Sequence, residues 1–267
     1  MGPVKKSALF VTIFGLLLAS CAHQTARGFY AGNLCNSENY YGDLKDEMNM
    51  ASADKKALGI LKLDKVDDLT IKFTGIIEDG DAKALEKILE TKPKRIIVKS
   101  AGGEIGESLR MAELLRTSSI EELVVDRICL SSCAAYLFVA VPKKWIRDGI
   151  VGFHGNATAL FNDSDLLESI KSSPANKGAN EATIKKWISE NKERGVKKEQ
   201  EFLKAVGVKQ TLFDLTQRKD KGQNNGKIYP FFLPGPKKMA EYGIRNVRGE
   251  QNRCIGESLG MENLYSD

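Results

Sequence analysis

Between Leu69 and Phe153 the apolar positions change period at regular intervals. Leu69-Thr70-Ile71-Lys72-Phe73 alternates with a period of two and predicts a strand that ends at Gly75. Ala84, Leu85, Ile88 and Leu89 then mark one helical face, and Arg95-Ile96-Ile97-Val98 predicts a second strand. After Gly102-Gly103, Leu109, Ala112, Leu114 and Leu115 return to helical spacing, and Leu123-Val124-Val125 predicts a third strand. An apolar helix from about Ser132 to Val141 and a strand through Ile150 to Phe153 complete the series. Strands and helices alternating in this way predict an α/β domain with a mainly parallel sheet.

The flanks of this region differ from it. Residues 21–65 are polar and mixed, with only short apolar stretches, and predict an extension with some helix; residues 251–267 form a tail. At the N-terminus, Lys5 and Lys6 precede an apolar run from Ala8 to Leu17 that is too short to span a bilayer comfortably. Leu18-Ala19-Ser20-Cys21 then resembles a bacterial lipoprotein signal. The expectation is that residues 1–20 are removed and that Cys21 carries the lipid, anchoring the chain in the bacterial cell envelope. Ala22, rather than an aspartate, resembles sequences sorted to the periplasmic face of the outer membrane rather than the inner one.

The net charge of +5 includes Lys5 and Lys6, so the processed chain carries +3. Lysines crowd the stretch from Lys171 to Lys238, but acids are interleaved with them, as on a solvated helical face, and no nucleic-acid partner is expected. Within 157–210, Ile184, Trp187, Ile188, Phe202 and Val206 line one helical face that Gly195 interrupts. Core packing and a contact between copies of the chain fit that face equally.

With Cys21 assigned to lipid, Cys35, Cys129, Cys133 and Cys254 remain. An even number in an exported chain suggests two disulfides with three possible connectivities. The favoured pairs are Cys129 with Cys133, four residues apart across a turn, and Cys35 with Cys254, which would tie the extension to the tail. A metal site at Cys129, Cys133 and His154 lacks a fourth ligand at recognisable spacing, so no metal is expected.

The order of parts is strand, Ser100-Ala101-Gly102-Gly103, helix, strand, serine opening a helix, strand, His154. It resembles Clp-protease-like members of the crotonase superfamily, as do Gly75-Ile76 and Ala240-Glu241-Tyr242-Gly243-Ile244, which is similar to that family's closing helix-to-strand segment. The resemblance covers roughly residues 69–247, within a domain drawn at 66–250 with a helical insertion at 157–210. It implies a crotonase-like repeated β-β-α superhelix. A subgroup of exported members frames the serine as C-x-S-x-C, as Cys129, Ser131 and Cys133 do here.

Carried over residue by residue, the resemblance makes Ser131 the nucleophile, with Ser132 the alternative one register away. Both also suit a helix N-cap. His154 becomes the general base; apart from His23 near the N-terminus, it is the only histidine in the chain. Gly102-Gly103 supplies the oxyanion loop, Gly103 giving one amide and Ser132 the other. Asp214, in Asp214-Leu215-Thr216-Gln217-Arg218, resembles the orienting acid; Asp163, Asp165 or no acid at all are the alternatives. The implied activity is that of a membrane-anchored serine hydrolase without cofactor, an ATP-independent peptidase acting on peptides or unfolded proteins, with homo-oligomerisation open. The alternative is an inert envelope lipoprotein that uses the fold for binding or assembly.

Overall fold

The computed structural model describes residues 62–158, 166–172, 180–217, 231–258 and 264–266. Six strands form one sheet: β1 (Leu63–Lys65), β2 (Thr70–Thr74), β3 (Arg95–Ser100), β4 (Glu122–Leu130), β5 (Lys143–Gly152) and, after a long excursion, β7 (Val247–Arg248). They lie side by side in chain order, all parallel except β1, which pairs antiparallel with β2. This is an α/β architecture with a mostly parallel sheet flanked by helices. Helix α1 (Asp81–Leu89) links β2 to β3, α2 (Ile105–Thr117) links β3 to β4, and a short π-helix, α3 (Cys133–Phe138), links β4 to β5. Ile71, Phe73, Ile96, Val98, Leu123 and Val125 project from the strands into one core with Leu85, Met111, Leu115 and Leu137 from the helices.

Two buried or half-buried acids fix the helix starts that lead to the site. Glu104 caps α2 by accepting from the amides of Gly106 (3.0 Å) and Glu107. Glu107, almost fully buried, accepts from the amides of Gly80 (3.0 Å) and Ala82 (2.6 Å) at the start of α1, and pairs with Arg110.

Strands β4 and β5 run much further than the periodicity suggests. The polar residues Asp126, Arg127, Arg147 and Asp148 interrupt the apolar pattern, yet they lie within the strands, at a register shift after Val125. Arg127 has a φ of 75° there, and Gly149 lies against its backbone, where a Cβ would come within 2.7 Å of the Arg127 carbonyl oxygen. Beyond the shift, the C-terminal ends of both strands lead to Ser131 and His154.

The insertion contains α4 (Leu166–Ser172) and the 26-residue α5 (Glu181–Val206), and α6 (Thr211–Gln217) follows it. Gly195 sits inside α5 without ending it; the helix stops at Gly207, whose φ of 74° suits a C-terminal glycine. Ile184 packs with Ala157, Leu166 and Ile170, and Trp187 and Ile188 pack beside them. Phe202 and Leu203 enter the main core, with Val206 packed against it. The apolar face of α5 therefore has its partners within this chain.

β6 (Phe232–Pro234) pairs parallel with β8 (Leu264–Ser266), α7 (Pro236–Glu241) leads to β7, and α8 (Arg253–Ser258) follows. β7 pairs with β5 only at Lys144 and Trp145. Beyond it, the side chain of Gln251 takes the place of a strand: its Oε1 accepts from the Val151 amide (2.8 Å) and its Nε2 donates to the carbonyls of Val151 (3.1 Å) and Pro234 (2.8 Å). The Asn252 amide donates to the Gly149 carbonyl (2.8 Å).

Candidate active site

Leu130 and Gly152 are register partners at the ends of β4 and β5, so the residues just beyond them are neighbours. Ser131 comes one residue after Leu130 and His154 two after Gly152. The Ser131 amide donates to the Gly152 carbonyl (3.0 Å), and its own carbonyl accepts from the Ala135 amide (2.8 Å), opening α3. Its φ of 56° is uncommon for a non-glycine residue and turns the chain sharply from strand to helix. The turn brings Ser131 Oγ to 2.6 Å from His154 Nε2. With the imidazole proton on Nδ1, Nε2 accepts from the hydroxyl, as a general base must.

His154 is held from both sides. Phe153 exchanges two backbone hydrogen bonds with Phe232 (2.9 and 2.7 Å), and the Phe231 ring meets the imidazole edge to face at 5.4 Å between centroids. Desolvation lowers the imidazole pKa to about 4, opposed only in part by a backbone hydrogen bond with Gly155. The ring is therefore neutral at pH 7.

The expected disulfide is present: Cys129 and Cys133, both fully buried, are bridged across the turn with Cα atoms 5.2 Å apart. Cys254 is also disulfide-bonded, and its partner lies outside the described residues. Cys21, Cys35, Asp163 and Asp165 likewise lie outside them.

The glycine pair packs directly under the turn. A Cβ on Gly102 (φ 94°) would lie 2.7 Å from both the Leu130 carbonyl oxygen and Ser131 Cβ; one on Gly103 (φ 152°) would lie 2.1 Å from the Ile77 carbonyl oxygen. Neither position has room for another residue. The Ile77 amide donates to the Gly102 carbonyl (2.7 Å), so across the trans peptide the Gly103 N–H points away from Ile77. Ser132 is not the serine at the imidazole. Its hydroxyl donates to the Gly103 carbonyl at 2.9 Å.

Asp214, on α6, accepts from Gln210 Nε2 (3.3 Å), and Gln210 forms a two-way amide pair with Asn156 (2.9 and 3.0 Å). Asp214 is thus linked through Gln210 to Asn156, two residues after His154. Sequence reasoning missed Asn156, Gln210, Phe231 and Glu199. Only Glu199 carried a signal: an acid three and four residues before Phe202 and Leu203, on the apolar stripe of α5. No three His, Cys, Asp or Glu side chains among the described residues cluster as a metal site would require.

Compared with known proteins, the chain matches no protein-family model and no curated protein sequence.

Proposed function

We propose that this chain is a serine hydrolase of the Clp-protease-like type, an ATP-independent peptidase anchored in the bacterial envelope through Cys21. The observation that carries the reading is the 2.6 Å contact between Ser131 Oγ and His154 Nε2 at a positive-φ turn. A buried serine and a half-buried imidazole so placed divide nucleophile and base between the ends of adjacent strands. In the reaction, Ser131 Oγ attacks the carbonyl carbon of a peptide bond and its proton passes to His154 Nε2. The imidazolium returns that proton to the departing amine, and water, deprotonated by the same nitrogen, then releases the acyl group. The amides of Gly103 and Ser132 have no acceptor among the described residues and lie beside the turn, which suits them to the developing oxyanion.

A crotonase-like β-β-α repeat is supported by a second, short extended segment after β2 and β3: Ile77 bridges Gly103 in parallel before α1 and α2 begin. The register shift after Val125 divides β4 and β5 in the same manner.

The reading is tested with a fluorophosphonate probe on the full chain. Labelling mapped to Ser131 and abolished by His154→Ala supports it; a folded protein that remains unlabelled, or is labelled elsewhere, overturns it. A folded but unlabelled protein favours the inert binding lipoprotein, for which the observation is that Asp214 engages Gln210.

A further inference from the structure

We propose that Glu199, on the insertion helix α5, is a positioning residue that sets the separation of the serine helix from the histidine loop. This rests on the reading of Ser131 and His154 as nucleophile and base. Glu199 is fully buried. Its Oε1 receives both the Tyr136 hydroxyl, from α3 five residues after Ser131, and the Ala157 amide (3.0 Å), three residues after His154. Its Oε2 receives the amide (2.8 Å) and hydroxyl (2.7 Å) of Thr158. One oxygen atom therefore joins the element that carries the serine to the one that carries the histidine.

No cation forms an ion pair with Glu199 among the described residues, so hydrogen bonds alone compensate its burial. Desolvation holds its carboxyl above the usual range, with the four donors working in the opposite direction. Burying a carboxylate in this way is costly, and an apolar residue of similar volume would fasten α5 to the core without that cost. What such a residue could not do is accept from α3 and from the loop at once. The amide pair of Asn156 with Gln210 fixes the intervening residue, so the chain is tied at 156, 157 and 158 immediately after the imidazole. Catalysis by a serine and a histidine is sensitive to such placement, because a displacement of about 1 Å can lower the rate by about a hundredfold.

The experiment compares full-chain wild type, Glu199→Gln, Tyr136→Phe and Glu201→Gln, the last an exposed acid on the same helix. It reads imidazole ¹⁵N resonances and the rate of fluorophosphonate labelling at Ser131. With only His23 and His154 in the chain, His154→Ala assigns the signals. We expect Glu199→Gln to shift the His154 Nε2 resonance and slow labelling by about a hundredfold, Tyr136→Phe to do both to a smaller extent, and Glu201→Gln to do neither. Unchanged His154 resonances in folded Glu199→Gln overturn the proposal. If that variant does not fold, unchanged resonances in Tyr136→Phe overturn it instead. If wild type is not labelled but the resonances shift in the variants, the hydrolase reading fails while the positioning role stands.

Discussion

Ser132 donates its hydroxyl to the carbonyl of Gly103 at 2.9 Å, joining the turn that carries Ser131 to the glycine loop facing it. Two adjacent serines thus have separate duties: one meets the imidazole, and the other holds the backbone beside it. Ser131→Ala is expected to abolish probe labelling. Ser132→Ala leaves a buried carbonyl without its donor, a loss of about 1–3 kcal/mol, and is expected to slow labelling while leaving it on Ser131. Peptide mapping of the labelled variants checks this, and labelling lost equally in both would show that the duties are not divided.

The low pKa of His154 makes a pH prediction. Its folded value of about 4 lies below the unfolded value of 6.5, so the unfolded chain binds more protons between those limits. The stability associated with neutral His154 is present above pH 6.5 and lost as pH falls to 4, with an upper bound on the order of 3 kcal/mol. For the same reason the acid limb of kcat/KM is expected near pH 4 rather than 6.5. Denaturant midpoints of wild type and His154→Gln at pH 7 and pH 4.5, together with a pH–rate profile, measure both effects.

The bridge between Cys129 and Cys133 closes so short a loop that its entropic contribution is only about 2 kcal/mol. Its larger effect is to hold the turn around Ser131. Replacing both cysteines with alanine is expected to lower the labelling rate by more than about thirtyfold, the factor that about 2 kcal/mol represents, because the amides lose their preorganised geometry and the transition state suffers more than folding does. Unfolding curves recorded beside labelling rates separate the two. Because both sulfurs are fully buried, the native protein is expected to resist reductant until denaturant is added.

Lys144 is buried, has no carboxylate partner among the described residues, and donates to the carbonyls of Val141 (2.6 Å) and Arg245 (3.3 Å). Desolvation lowers its pKa to about 8, below the unfolded value of 10.5. Between those values the unfolded chain binds the extra proton, so wild type gains stability as pH rises from 8 to 10.5, by up to about 3 kcal/mol. Lys144→Met should show no such gain. Urea midpoints of the two proteins at pH 7 and pH 10 provide the comparison.

Strands β2 and β3 and helices α1 and α2 were legible because each has a local period and a glycine or a change of period at its end. The outer half of β4 and the inner half of β5 were not, since Asp126, Arg127, Arg147 and Asp148 read as loop until the bulge gives them a place in the sheet. At the site, Ser131, His154 and the glycine pair were named by the resemblance in the order of parts, and the register of β4 with β5 accounts for the meeting of Ser131 with His154. Phe231 and the amide pair of Asn156 with Gln210 depend on contacts across large sequence separations, which no window along the chain detects.

Gln251 has a consequence for the edge of the sheet. A strand edge that offers free N–H and C=O groups is a template for another chain. Beyond β7, the outer half of β5 would present such an edge, immediately before Phe153 and His154, but for the Gln251 side-chain amide, which occupies the donor and acceptor of Val151, and the Asn252 amide, which donates to the Gly149 carbonyl. The C-terminal segment thus covers this edge. Its removal from residue 251 onward would expose an adhesive border beside the imidazole, so truncated protein should form aggregates in which the histidine loop is the first part to be covered.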